Sequence, residues 1–213
     1  MKIDFVSDVS CPWCAIGLKS LEQALQRLPE LPVQLHFQPF ELNPGMVPEG
    51  EDITEHLSRK YGLPAAQLEK NRDAIRQRGA AVGFDFVQGA RSRIYNTFDA
   101  HRLLHWAGLQ GEAFQRDLKL SLFGAYFTDG KDPSDHALLV ERAASVGLDA
   151  DEARAVLASD RYAQEVRDAE AYYQSHGIRS VPAIIIDDKH LISGGQPPEV
   201  FEQALRQIAA GAG

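Results

Sequence analysis

The sequence predicts an α/β protein built from a β-α-β unit at the start of the chain and a β-β-α unit at its end, with a large all-helical insertion between them. Three observations carry this. The opening residues alternate strand, helix and strand patterns; the closing residues give two short apolar runs and an amphipathic one; the long stretch between is dense in helix start and stop signals.

Lys2 to Ser7, with Ile3, Phe5 and Val6, reads as the first strand. Pro12 to Leu28 repeats Leu18, Leu21, Leu25 and Leu28 at helical spacing and stops at Pro29. Val33 to Phe37 alternates Val33, Leu35 and Phe37 with Gln34 and His36, as a half-buried strand does. Pro39 to Gly50 and Phe84 to Val87 read as extended linkers. Within the insertion, Asp52-x-x-Glu55 resembles a capping box with Gly62 as the stop, and Pro64 opens a helix ending around Gly79 to Gly83. Asn96 caps a helix to Trp106 that stops before Gly108. Further helices fit Glu112 to Phe127, Ser134 to Val146, Asp149 to Ala158 and Asp160 to His176. Ala183 to Asp187 and Leu191 to Ser193 are strands around an Asp188-Lys189 turn, and Gly194-Gly195 leads into a helix from Pro197 to Ile208. The implied organisation is a discontinuous domain, 1–45 with 177–213, and a helical insertion over 46–176 whose last helix packs back on that domain.

The chain's 213 residues are 44% hydrophobic and 24% charged, enough to bury a core as one large domain or a domain with a subdomain. The formal net charge of -8 and the absence of a Lys/Arg cluster argue against a nucleic-acid partner. The N-terminus carries acids where a signal peptide needs an apolar run, and no segment is long enough to span a bilayer, so a cytoplasmic, non-membrane protein is expected.

Both cysteines lie in one motif, Cys11-Pro12-Trp13-Cys14, between the first strand and the first helix. A helix-opening Cys-x-x-Cys places its first sulfur beside unsatisfied backbone N–H groups and the positive end of the helix dipole, which favour thiolate. Pro12 suits the first helical turn, where no N–H is needed. A reducing compartment disfavours a permanent disulfide, leaving a redox-active dithiol or a pair of buried or zinc-binding cysteines as the readings. His101 and His105, four apart on one helix, formally complete a two-Cys, two-His zinc set, but their distance along the chain from the cysteines counts against it. The expectation is no metal and no cofactor.

This motif, the Val181-Pro182 pair and the interposed helices resemble the DsbA-like branch of the thioredoxin-fold superfamily. More narrowly, Ser7-Asp8, Phe40-Glu41-Leu42-Asn43-Pro44, Asn96 to Leu103 and Gly194-Gly195-Gln196-Pro197 resemble FrnE-type cytosolic oxidoreductases over nearly the whole chain. The resemblance implies a thioredoxin fold whose helical insertion lies over the dithiol. It also implies that Cys11 is the nucleophile, Cys14 the resolving thiol and Val181-Pro182 a cis pair facing the active site. From the residues alone, an X-Pro bond at this place favours trans.

Pro12 and Trp13 are candidate substrate contacts, Trp13 because the position between the cysteines must face outward for the thiol to be reached. Asp8 is either a proton relay or a strand-end acid, His101 either lines the cleft or completes a helix face, and Asn96 either touches substrate or only caps its helix. The expected activity is thiol:disulfide oxidoreduction, as a disulfide reductase or isomerase acting on protein or small-molecule disulfides, with glutathione as a candidate reductant. The alternative on the same fold is a glutathione-dependent isomerase or transferase of the kappa or 2-hydroxychromene-2-carboxylate isomerase kind. That branch usually has Ser at the Cys11 position and lacks the second cysteine.

Overall fold

A four-stranded sheet in the order β2-β1-β5-β6 organises the computed structural model, which describes residues 1–211. Its strands are β1 (Lys2–Ser7), β2 (Gln34–Pro39), β5 (Ala183–Ile186) and β6 (His190–Ser193). β1 runs parallel to β2 and antiparallel to β5, with Phe5 opposite both Phe37 and Ile184. Being central, β1 is buried on both faces: Ile3 and Phe5 join the core under α1 (Pro12–Gln26) and α9 (Pro198–Ala209), while Val6 joins Phe40, Tyr173, Ile178 and Ala183 on the other side, where the buried Asp4 is paired with Gln38 and Lys2. Tyr173 brings α8 (Ala163–Ser175) against that second face beside β2.

The remaining elements are β3 (Glu51–Asp52), α2 (Ile53–Tyr61), α3 (Ala65–Ala81), β4 (Arg93–Ile94), α4 (Phe98–Gln110), α5 (Glu112–Phe127), α6 (His136–Ser145) and α7 (Ala150–Leu157). Helices α4 to α7 share a second core, with Leu103, Leu118, Leu139 and Val156 fully buried, and Val9 from the loop after β1 inserts into it. That insertion ties the loop carrying the cysteines to the helical insertion.

Two expectations are corrected. Helix α4 does not stop before Gly108; it continues to Gln110. Gly108 is there because a Cβ would come within 2.8 Å of Gln115, whose amide bridges the main chain of Phe37 and Leu104. The start of α8 also moves, from Asp160 to Ala163, after Tyr162 in a left-handed conformation (φ 63°). The two-residue ladder β3–β4 is too short to leave a periodic signal.

Candidate active site

Cys11 is the N-cap residue of α1, in an extended conformation, and Pro12 occupies the first helical turn. The Cys14 and Ala15 amides donate to the Cys11 carbonyl at 3.1 and 3.4 Å, closing the first turn around the motif. Both thiols are free, with Cys11 4% exposed and Cys14 fully buried behind it. The Val181-Pro182 bond is cis, and the Cys11 sulfur lies 3.7 Å from the Val181 carbonyl oxygen. Pro12, Trp13, Val181 and Pro182 thus gather around one sulfur, and Trp13 is the exposed member at 37%.

The two thiols shift in opposite directions. The Cys14 thiol donating to Cys11 lowers Cys11; burial opposes this, and the Cys14 and Trp13 backbone N–H groups at the helix start assist it. Burial raises Cys14 well above an ordinary thiol, and the neighbouring Cys11 sulfur and its charge raise it further. The thiolate is therefore favoured at Cys11 and disfavoured at Cys14.

Asp8 and His101, expected as possible cleft residues, lie beneath the site at 0% and 3% exposure, which closes them to direct contact with a substrate. The Asp8 carboxylate accepts from the Leu42 amide (2.7 Å) and from the Ser10 amide and hydroxyl, and His101 Nε2 stands 3.6 Å away. Burial would raise this carboxyl, but the His101 ring and the two amides outweigh it and hold it down at about 2. Asn96 is not the N-cap of α4, a place that Thr97 takes; from one residue earlier its side chain accepts from the Phe98 amide at 2.8 Å in a turn that leads into the helix. His105 packs on Tyr162 with ring centroids 5.2 Å apart. Among the described residues no three His, Cys, Asp or Glu side chains converge as metal ligands.

Asp8 supports a prediction in pH. A folded value of about 2 against an ordinary 3.8 means its stabilisation is complete above about pH 4 and lost as pH falls toward 2, a contribution of about 2 kcal/mol. Asp8→Asn should lower the unfolding free energy at pH 7 by about that amount and flatten the acid arm of the curve. Denaturant melts of both proteins at pH 7 and pH 3 check this, and equal stability at pH 7 would reject it.

Sequence reasoning missed Arg91. Its guanidinium donates to the Ser10 carbonyl (3.0 Å) and the Tyr126 hydroxyl (2.9 Å), and lies 5.0 and 5.3 Å from the Tyr126 and Phe127 ring centroids. Arg91 and Pro12 both line a cavity of about 350 Å³ between the motif and the insertion, whose walls include Ile75, Phe86 and Phe127 with Arg72 and Arg76. A lone arginine in a loop gives no spacing signal.

Two glycines set the approach of the proline loop to α1. A Cβ on Gly17 would lie 3.2 Å from Pro182 and 3.3 Å from Gly195 Cα, which explains a glycine inside a helix. One on Gly195 would lie 2.8 Å from the Trp13 carbonyl. The Gly195→Ala variant must therefore move main chain at the motif and should lose about 1–3 kcal/mol, with altered Cys11 alkylation. Thermal unfolding and iodoacetamide labelling read both effects; a variant matching the parent in each would show that the loops separate freely.

Comparison with known proteins adds to this geometry. A family profile described as the DSBA-like thioredoxin domain matches residues 2–206. A probable DsbA oxidoreductase from Streptomyces coelicolor is 36% identical, with 99% of this chain and 90% of that one covered and a TM-score of 0.91. A 2-hydroxychromene-2-carboxylate isomerase shares the fold at 15% identity, covering 99% of this chain and 97% of that one, with a TM-score of 0.74. The cytosolic disulfide reductase DsbM from Pseudomonas aeruginosa, solved with glutathione, does so at 16% identity, covering 99% and 100%, with a TM-score of 0.66.

Proposed function

Because this chain belongs to the DSBA-like thioredoxin domain family of oxidoreductases, we propose that it is a thiol:disulfide oxidoreductase working through Cys11 and Cys14 as a disulfide reductase or isomerase. The observation that carries this reading is the pair of opposed thiols. Cys11, lowered and beside the Val181 carbonyl, attacks a substrate disulfide; Cys14, shielded until then, gives up its proton and attacks Cys11 as the thiolate, releases the reduced substrate and leaves Cys11–Cys14 oxidised. The Val181 carbonyl and the exposed Trp13 flank the path of an incoming chain, with Pro12 and Pro182 framing the sulfur. Asp8, His101 and Asn96 act as support for this frame.

Favouring the Cys11 thiolate stabilises the reduced form and makes the pair moderately oxidising, and a cytosol poised at about -220 to -320 mV holds such a pair as the dithiol, which makes reduction or isomerisation the direction of flow. The FrnE-type branch, a cytoplasmic location and glutathione as recycling thiol belong to the same proposal. The glutathione-dependent isomerase reading needs neither protein thiol, that branch usually having Ser at the Cys11 position and no second cysteine, so the intact Cys11 and Cys14 pair separates the two.

A redox titration of the dithiol, run with insulin-reduction and scrambled-substrate assays, tests the proposal. A two-electron transition with reductase or isomerase activity is the expected result. A chain with no measurable Cys11–Cys14 transition, or with isomerase activity toward a glutathione-dependent substrate untouched by Cys14→Ser, would overturn it.

A further inference from the structure

The resolving step poses a problem that the front of the site does not solve. Cys14 is fully buried, and once Cys11 carries a mixed disulfide, substrate covers the one side from which Cys11 is reached. The Cys14 proton needs another way out.

Behind the dithiol, α5 presents Lys119, 1% exposed among Leu118, Leu122 and Phe123, with its Nζ 5.3 Å from the Phe123 ring centroid. Phe123 and Cys14 belong to one core cluster, and α5 packs on α1. Among the described residues Lys119 enters no ion pair or hydrogen bond, although an unpaired cation in such surroundings is costly. Lys119 and His101 both line a second cavity, of about 210 Å³, between Phe37–Pro39 of β2 and helices α4 and α5, which Pro12 does not line. The groups whose charges act on Lys119 are Cys14 in the first turn of α1, Cys11 at its N-cap and Asp8 of the loop after β1, and His101, His36 and His105 line the same cavity as Lys119.

We infer that Lys119 is the proton acceptor for Cys14 in the resolving step, and that the cavity behind it carries that proton to water. The inference rests on the dithiol reading above. In the step, the neutral Lys119 amine takes the Cys14 proton, and the Cys14 thiolate attacks Cys11 Sγ. The Cys14–Cys11 bond forms as the Cys11–substrate sulfur bond breaks; the electron pair leaves with the substrate thiolate, which is protonated by water, and the Lys119 ammonium loses its proton through the cavity. Burial brings Lys119 down to about 8, partly countered by the charges of Cys14, Asp8 and Cys11, so the amine becomes available just above neutral pH.

Stopped-flow reaction of the reduced protein with 5,5′-dithiobis(2-nitrobenzoate) separates the steps, because Cys11 attack releases one thiolate and Cys14 attack the second. In Lys119→Met the first phase should stay within about twofold while the second slows by about 10²-fold and loses its rise near pH 8. Lys119→Arg keeps the charge but cannot surrender a proton, so it should slow the second phase too, and it serves if the Met variant does not fold. A second phase in either variant with the parent's rate and pH profile overturns the inference. A parent protein without a first phase would overturn the dithiol reading itself.

Discussion

Cys11→Ser is expected to lower disulfide reductase turnover by about 10³-fold or more, while Cys14→Ser keeps the first attack and accumulates mixed disulfide. The difference follows from place and charge. Cys11 sits at the open N-terminal end of α1, 3.7 Å from the Val181 carbonyl, and its neighbours favour the thiolate. Cys14 has no exposure, and its thiol is raised by burial and by the sulfur beside it. Alkylation at neutral pH should therefore label Cys11 first, and Cys11 should titrate below the free-thiol value of about 8.5. Mass spectrometry after a short iodoacetamide pulse reads the order, and thiolate absorbance reads the titration. Faster labelling of Cys14, or reductase activity surviving in Cys11→Ser, would reverse the assignment.

The parts of this molecule that were legible in its sequence are those written in local periodicity and punctuation. The strand at Lys2–Ser7 and the helix at Glu112–Phe127 show as apolar spacing, and Asp52 and Asp149 cap the following helices with their own carboxylates as their positions imply. The dithiol was legible because a Cys-x-x-Cys between strand and helix has few other physical uses. What stayed hidden depends on contacts across long sequence separations. Gly108 reads as a stop until Gln115 is seen lying against it, and Arg91 reads as a loop charge until its guanidinium is found on the Ser10 carbonyl. Asp8 and His101 could be picked out, but their burial could not: it follows from α4 bringing His101 to within 3.6 Å of Asp8 and from the Leu42 amide reaching the same carboxylate. The Val181-Pro182 geometry runs against the general preference for trans, and only the resemblance to a family pointed to it.

Arg91→Met should have the largest effect of any substitution outside the motif and its proline loop. The side chain holds three things together: the Ser10 carbonyl immediately before Cys11, the Tyr126 hydroxyl, and the faces of the Tyr126 and Phe127 rings. A hydrogen bond from a charged donor is worth about 1.5–3 kcal/mol and a partly desolvated cation over a ring about 0.5–2 kcal/mol, so a loss of about 3 kcal/mol in stability is expected. Tyr126 keeps its own bond to the Arg93 carbonyl at 2.7 Å, so the damage concentrates on the Ser10 side. There the loop from Asp8 to Cys11 loses one of its ties to the insertion, Val9 keeping the other, and the Cys11 sulfur loses part of what fixes its approach to Val181. Turnover should fall about tenfold, a cost of about 1.4 kcal/mol in barrier, with the thiol count unchanged. Arg91→Lys separates charge from shape: an ammonium reaches one acceptor but cannot span the Ser10 carbonyl and the Tyr126 hydroxyl as the planar fork does, so it should recover stability in part and turnover little. Urea unfolding and insulin reduction on the three proteins decide the matter, and an Arg91→Met protein as stable and as active as its parent would show that Val9, Asp8 and α1 hold the motif without Arg91.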